Sequence, residues 1–151
     1  MMSGRRCKGV AISALLVLAA LLPQPAGSCT CVDSGDIKKR IKRYPLIFLG
    51  QVVDQVTPKA DITQVTFRVS RVWKGEHRTE AIVRASVNPE ACGYSFARGS
   101  YYVVFAYAQP PGWGTSRCTP TESASRAEGV IRALDAHFHV TTAIPADGEG
   151  S

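Results

Sequence analysis

The sequence predicts a small, mainly β domain with flanking helices, one of them at the C-terminal end. Three observations support this class. Five short segments rich in β-forming residues are separated by Gly/Pro turns, two other segments have helical spacing, and the chain of 151 residues is the size of one domain. Five short strands with flanking helices fit a small closed or partly open β-barrel, although periodicity alone also allows a small sandwich.

Residues 1–28 have the pattern of an export signal that is removed from the mature protein. Three basic residues open the segment, an apolar run follows over residues 10–22, and two prolines end it. Ala26-Gly27-Ser28 places small residues at positions −3 and −1, which predicts cleavage before Cys29. The apolar run is shorter than the roughly 18 residues expected of a membrane-spanning helix. We therefore expect a secreted, extracellular protein.

The predicted mature chain is a single, mildly basic domain. We expect the domain to cover 29–140 and a disordered tail to cover 141–151. Loss of the signal lowers the formal net charge from +6 to +3, because its three charged residues are all basic. The densest basic cluster, residues 38–43, is typical of a solvated helix face, so no nucleic-acid partner is expected.

The cysteines predict two disulfides. Four remain once Cys7 leaves with the signal, and an even number in an exported domain favours disulfide bonds. Cys29 and Cys31 are two residues apart, so a bond between them would be badly strained. Two pairings remain open, each joining one of them to Cys92 and the other to Cys118. Either pairing fixes the N-terminus to two distant loops, and each long closed loop corresponds to about 3–4 kcal/mol of stabilisation.

The first half of the mature chain predicts a short helix and two strands. Asp36 is the expected N-cap of a basic helix over Ile37–Arg43. Residues 46–53 are rich in β-formers and contain Gly50, which predicts a strand with a bend or bulge. Residues 62–73 alternate between apolar and polar, which predicts a second strand whose apolar side chains, such as Val65 and Phe67, face inward.

The second half predicts three strands and a helix. Residues 80–87 form the third strand, and the continuous apolar run over 101–107 predicts a buried fourth strand. A short fifth strand is expected after the Pro/Gly turn, leading through Cys118. Ser125 and Glu128 are placed to form a capping box, and apolar residues at helical spacing up to Phe138 predict the last helix. The five-stranded barrel of this kind is the OB-fold.

No set of catalytic residues stands out, so we expect neither enzyme activity nor a cofactor. The common hydrolase, zinc-protease and nucleotide-binding motifs do not occur. His137 and His139 form a His-x-His pair, but at a helix end alternate residues diverge. Four cysteines could hold zinc, yet the lack of Cys-x-x-Cys spacing and the export signal favour disulfides. Trp73 and three tyrosines could stack bases, but their apolar runs are typical of a core.

Cleavage before Cys29 would create a group with metal-binding chemistry of its own. The free α-amino group and the carbonyl oxygen of Cys29 are spaced to close a five-membered chelate ring on a metal ion. The reference pKa of an α-amino group is about 7.7–8.0, so an appreciable neutral fraction can donate its lone pair at physiological pH. Catalytic zinc sites keep an open position that water normally fills, and a rigid amine and carbonyl could displace that water.

Several short motifs have the pattern of one known family. They are Cys29-Thr30-Cys31-Val32, Phe48-Leu49-Gly50, Val72-Trp73-Lys74-Gly75, Cys92-Gly93-Tyr94 and Cys118. Together they resemble the N-terminal, netrin-like domain of the tissue inhibitors of metalloproteinases, the TIMP family. The resemblance covers residue 29 to about residue 139. It rests most on the Cys-x-Cys at the predicted cleavage point with its matching later cysteines.

The resemblance implies a particular fold and particular disulfides. The fold would be a five-stranded, OB-fold-like barrel of the netrin-like type, and the bonds would join Cys29 to Cys92 and Cys31 to Cys118. The family's N-terminal domain normally carries a third disulfide, for which this chain has no cysteines, and the family's second domain has no counterpart in these residues. We therefore expect a minimal relative, for which a bacterial source is one option.

The resemblance also implies a function. The protein would be a monomeric inhibitor of a zinc metalloprotease, its protein partner, and the amine and carbonyl of Cys29 would chelate the partner's catalytic zinc. Thr30 would enter the primed-side specificity pocket of the protease. Val32 and the loop residues Glu90 and Ala91 would line the rest of the contact. The complete inhibitory wedge would comprise Cys29, Thr30, Cys31, Val32, Glu90 and Ala91.

Two other functions remain open. Netrin-like domains serve several extracellular roles, so a binding or adhesion module without inhibitory activity is the main alternative. A lipid-anchored surface protein is the other, because Ala26-Gly27-Ser28-Cys29 loosely resembles a lipobox, although Leu is usual at the position of Ala26. Lipidation would block the α-amino group and tether the domain to a membrane.

Overall fold

The computed structural model describes residues 29–31 and 35–140. These residues form a mainly β fold with two helices, one of them C-terminal, as predicted. The elements in chain order are α1 (Ile37–Arg43), β1 (Leu46–Lys59), β2 (Ile62–Lys74), β3 (Glu80–Ser86), a 3₁₀ turn (Pro89–Ala91), β4 (Tyr101–Gln109), β5 (Gly112–Gly114), β6 (Glu122–Ser123) and α2 (Glu128–Phe138). Among the described residues no helix is long and apolar enough to span a membrane. The predicted signal (1–28), the predicted tail (141–151) and Val32 lie outside the described residues.

Five of the six strands form a ring-like sheet. β1 pairs antiparallel with β2, and β2 with β3. β3 pairs parallel with β5, β5 pairs antiparallel with β4, and β4 returns to β1 in antiparallel pairing. β6 adds a short pairing on β4 at Tyr102 and Val103. The described strands of the ring therefore each have two hydrogen-bonded neighbours.

β1 carries the irregularity that its glycine predicts. Its register against β2 shifts between Leu49 and Gly50. A Cβ atom at Gly50 would lie 3.1 Å from the backbone oxygen of Arg68 and 3.1 Å from the ring of Phe48. The glycine therefore permits the close approach of two strands over a packed aromatic ring.

Two hydrophobic cores lie on opposite faces of β4, which explains its continuous apolar sequence. Tyr102, Val104 and Ala106 belong to a first core on one face of the sheet, together with Phe48 and Phe67. The alternate residues of β4 belong to a second core between the sheet and the helices, formed by Ile41, Tyr44, Ile47, Trp73, Val103, Phe105, Ala127 and Leu134. Side chains on a strand point alternately to its two faces, so a strand covered on both faces is apolar throughout.

The fifth strand does not lead through Cys118 as predicted. It is Gly112–Gly114, within the Pro/Gly segment that the sequence assigned to a turn, and its backbone pairs with both β3 and β4. Residues 115–121 form a loop held by three buried threonine hydroxyls. The Oγ1 atom of Thr115 lies 2.7 Å from that of Thr119 and 2.9 Å from that of Thr121. The backbone N–H of Phe105 donates to Thr121 Oγ1 at 3.0 Å, which ties this loop to β4.

The two helix starts differ from each other. The side chain of Asp36 accepts a hydrogen bond from the backbone N–H of Lys39 at 2.9 Å, so the predicted N-cap of α1 is confirmed. The predicted capping box of α2 is wrong, because the helix begins after Ala127 and no side chain caps it. The backbone N–H of Ala127 instead donates to the carbonyl oxygens of Ser123 and Ala124, so a backbone turn leads into the helix.

Candidate functional site

Two disulfides hold the N-terminal segment of the described chain. Cys29 is bonded to Cys92 with a Cα–Cα distance of 5.3 Å, and Cys31 is bonded to Cys118 with a Cα–Cα distance of 5.1 Å. These are the pairings that the family resemblance implies. Residues 29–31 are therefore attached at both ends to loops that lie far away in the sequence.

The two disulfides lie against each other. The sulfur of Cys29 is 3.5 Å from that of Cys118 and 3.9 Å from that of Cys31. The sulfur atoms of Cys29, Cys92 and Cys118 all lie within 4.8 Å of one another, a spacing that would suit a metal ion in a reduced protein. A sulfur joined in a disulfide is not a thiolate ligand, so the bonded cysteines form a covalent clamp rather than a metal centre.

The loop that carries Cys92 is held by its own backbone. The Asn88 side chain accepts a hydrogen bond from the N–H of Glu90 at 2.9 Å and caps the 3₁₀ turn. The N–H of Gly93 donates to the carbonyl oxygen of Asn88 at 2.9 Å. A Cβ atom at Gly93 would lie 2.6 Å from the backbone oxygens of both Asn88 and Ser86, so only glycine fits after Cys92. This contact gives the Cys92-Gly93 motif a structural reason.

The loop that carries Cys118 is joined to the Cys92 loop. The backbone N–H of Arg117 donates to the carbonyl oxygen of Cys92 at 2.9 Å. The N–H of Cys118 donates to the Ser116 side chain at 3.2 Å, and the buried threonines follow directly. The two cysteine anchors are therefore parts of one hydrogen-bonded unit.

The structure brings most of the predicted wedge residues to this unit. Thr30 is exposed between Cys29 and Cys31, and Glu90 and Ala91 are exposed on the turn that immediately precedes Cys92. Since Cys29 is bonded to Cys92, that turn and the N-terminal segment are neighbours in space. Val32 lies outside the described residues, and the predicted cleavage that would free the amine of Cys29 stays a prediction.

An aromatic cluster beneath the Cys92 loop was missed by the sequence reading. The rings of Tyr94 and Phe96 have centroids 4.7 Å apart, and Phe96 packs edge-on against Tyr102 at 4.8 Å and against Phe67 at 5.2 Å. Burial, with a smaller effect from the negative charge of Glu122, raises the pKa of Tyr94 to about 12. The alternate aromatic residues after Gly93 were the available signal for this anchoring of the loop on the core.

The other candidate residues lie elsewhere. Trp73 and Tyr102 are buried in the two cores, which agrees with the core interpretation of the aromatic runs, whereas Tyr101 is exposed on β4. His137 and His139 are exposed at the end of α2. Within the described part of the chain, neither histidine belongs to a group of three side chains that could hold a metal ion.

Models of known protein families give no match to this chain, and a search of curated proteins gives none either. The fold and the site define a class in structural terms only. The protein is a mainly β domain with a ring-like sheet, and two adjacent disulfides fix residues 29–31 to two joined loops.

Proposed function

We propose that this protein is a secreted inhibitor of zinc metalloproteases that acts through an N-terminal Cys29. The observation that carries the proposal is the disulfide clamp, which leaves Thr30 exposed between two fixed cysteines. A free chain end would lose conformational entropy on entering a protease cleft. A clamped segment has lost that entropy on folding, so more of its contact energy contributes to binding.

The chemistry of inhibition would come from the main chain of Cys29. After cleavage of the signal, its α-amino nitrogen and carbonyl oxygen would bind the catalytic zinc of the target in the position that water normally occupies. The bond to Cys92 holds the Cα atom of Cys29 in place. The α-amino nitrogen is bonded directly to this Cα, and the carbonyl oxygen to the carbon next to it, so the bond also restricts the position of both donor atoms. An inhibitor of this kind needs no catalytic residue or cofactor of its own.

Specificity would come from the exposed residues on either side of the clamp. Thr30 would enter the primed-side pocket next to the zinc. Glu90 and Ala91 would form a second contact line, and their turn is supported by the Asn88 cap. Val32 would complete the contact after Cys31. The partner is a protein, and one monomer of inhibitor would suffice for each protease.

We also propose that the ring-like sheet is an OB-fold-like barrel of the netrin-like type. The ring order and the parallel β3–β5 pairing support this. Several residues that carry the family resemblance also have packing roles in this fold. Gly50 permits the close approach of β1 and β2, Trp73 is in the second core, and Gly93 fits where a side chain would not.

The decisive experiment compares two forms of the exported protein. One begins at Cys29 and the other carries one additional alanine before it. Both forms are tested on a panel of zinc metalloproteases. Stoichiometric inhibition should be at least about 100-fold weaker with the second form, because the extra residue converts the α-amino nitrogen of Cys29 into an amide that cannot chelate and keeps Cys29 away from the zinc. Equal disulfide content and equal melting temperatures serve as the folding control.

The other outcomes decide against the proposal in different ways. If the extended form inhibits equally well, the chelation mechanism is wrong. If the Cys29 form leaves the whole panel active at high protein concentration, a binding or adhesion module is the better account. If the exported protein carries a mass increment of lipid size at Cys29, it is an anchored surface protein with a blocked amine.

A further inference from the structure

The positive charge of the domain is concentrated in α1. Of the 18 Lys and Arg residues, three lie in residues 1–28 and five lie in Ile37–Arg43, whereas all 12 acidic residues follow residue 28. Outside α1, residues 29–151 therefore have ten basic residues against twelve acidic ones. The net positive charge of this part of the chain comes from one helix of 7 residues.

Four of the five charged side chains of α1 point into solvent. Ile41 is buried in the second core and Ile37 packs against that core, which fixes the orientation of the helix. Lys38, Lys39, Lys42 and Arg43 are exposed, and among the described residues no carboxylate forms an ion pair with any of these four. The carboxylate nearest in sequence, that of Asp36, accepts the backbone hydrogen bond of the N-cap. Within the described part of the chain, these four cations are therefore not neutralised by neighbouring acids.

Other cations and an open groove extend this surface. The ammonium group of Lys74 donates to the carbonyl oxygen of Ile41 at 2.6 Å, which adds a positive charge beside the C-terminal end of α1. A groove of about 710 Å³ separates α1 from α2, and it is lined by Ile37, Lys38, Ala133, Ala136, His137 and His139. The exposed cations of α1 therefore lie beside a groove in which Lys38, on one side, and the two histidines, on the other, are hydrogen-bonding side chains among small and aliphatic ones.

We propose that α1 and this groove form a docking surface for an anionic polysaccharide. Its sulfate or carboxylate groups would pair with Lys38, Lys39, Lys42 and Arg43, and the chain would follow the groove towards the histidines. A hydrophilic polyanion needs only spaced cations and hydrogen-bond donors on its partner, and this surface offers both. This proposal does not rest on protease inhibition, because none of its residues belongs to the N-terminal clamp.

Two other polyanions fit the surface less well. A membrane-surface helix inserts apolar side chains below the headgroups, and single-stranded nucleic acid stacks on exposed aromatic rings. The exposed large hydrophobic residues of the described chain are Val56, Ile82, Val87 and Tyr101. None of these residues lies in α1 or α2. In the described residues, this surface therefore has the cations for a polyanion but neither an exposed large apolar anchor nor an exposed aromatic ring on which bases could stack.

The experiment uses the mature protein, heparin as a sulfated probe and alginate as a carboxylated one, at about 0.15 M salt. The test variant is Lys38→Gln/Lys39→Gln/Lys42→Gln. The control variant is Lys59→Gln/Arg68→Gln/Arg98→Gln, which removes the same charge from exposed positions in the sheet and its loops. The dissociation constant should rise roughly tenfold in the test variant and by less than about twofold in the control. Equal melting temperatures would show that all three proteins are folded.

Each result decides the proposal. Binding of heparin alone assigns sulfate groups, and binding of both probes assigns anionic sugars in general. An equal loss in the two variants would show that net charge, and not this surface, controls binding, and failure of the wild type to bind either probe also overturns the proposal. Tighter, α1-dependent binding to phosphatidylglycerol vesicles or to a single-stranded oligonucleotide would replace the polysaccharide with that partner.

Discussion

The indole nitrogen of Trp73 donates a hydrogen bond to Oδ1 of Asp135 at 2.7 Å, and this contact joins β2 to the C-terminal helix. Arg71 Nη1 donates to both oxygens of the same carboxylate, at 2.7 and 2.9 Å. The carboxylate is buried within the second core, where it satisfies an indole and a guanidinium together. One acidic side chain therefore fixes the position of α2 on the sheet.

Replacement of Asp135 by alanine should lower the free energy of unfolding by about 2–3 kcal/mol, because it leaves the Trp73 N–H and the Arg71 charge without their partner. Chemical denaturation measures this change. The matched control is Glu128→Ala, which removes an exposed ion pair to Arg132 on the same helix and should cost less than about 0.5 kcal/mol. Equal effects of the two substitutions would contradict the assigned role of Asp135.

Substitution of Gly93 by alanine should destabilise the domain strongly, by about 3 kcal/mol, because the new methyl group would overlap two backbone oxygens that cannot both retreat. Gly129→Ala is the control, since a Cβ there meets nothing within 4 Å and lies in α2. That change should stabilise the protein by up to about 1 kcal/mol. Thermal unfolding of both variants decides the question, and a tolerated Gly93→Ala would show that the Cys92 loop is not rigid.

The clamp predicts a specific disulfide phenotype. The double variant Cys31→Ser/Cys118→Ser should lose about 3–4 kcal/mol of stability, because this bridge closes a loop with a sequence separation of 87 residues. The remaining Cys29–Cys92 bridge should still form, which a mass increase of two hydrogen atoms on reduction would show. A peptide map of the wild type that joins Cys29 to Cys118 would contradict the observed pairing.

Ionisation of Tyr94 should destabilise the domain at high pH. Burial raises its pKa to about 12 from about 10 in the unfolded chain, so the neutral phenol is favoured in the folded state. Its contribution to stability is complete below pH 10 and is lost as the pH rises from about 10 to 12. The free energy of unfolding should fall across that window, and Tyr94→Phe should reduce the slope.

A part of that pH dependence should remain in the Tyr94→Phe variant. Burial also raises the pKa of Tyr44 in the second core. Ionisation of Tyr44 at high pH therefore also lowers the free energy of unfolding. Tyr101→Phe is the control, because this residue is exposed. An unchanged slope in Tyr94→Phe would show that the phenol is not sequestered beneath the Cys92 loop.

The strands that the sequence predicted are those with a strong local pattern. Alternation in β2 and the apolar run in β4 report the burial of successive side chains, and that information lies within each segment. β5 was placed wrongly because its three residues form a strand through backbone pairing with two distant segments, and Gly112 and Gly114 carry no side-chain signal. The start of α2 was misread because backbone carbonyls, not Ser125, bond the N–H of Ala127.

The candidate site was predictable to the same extent. Residue spacing reduced the cysteines to two pairings, and the family resemblance selected one of them. The hydrogen bond from Arg117 to Cys92 and the tight fit of Gly93 involve backbone atoms of segments far apart in the chain. Local composition does not encode such contacts, so the sequence could not predict that the two cysteine loops support each other.

The location of Cys92 and Cys118 in the chain has a consequence for folding. Cys92 follows β3, and Cys118 follows β5, so each bridge joins residues 29–31 to a loop that lies several strands further along the chain. A disulfide requires its two Cα atoms to lie within about 4.4–6.8 Å, so residues 29–31 are fixed in place only when both cysteine loops have reached their native positions. A partly folded chain would therefore not hold this segment in the conformation that the native structure presents to a partner.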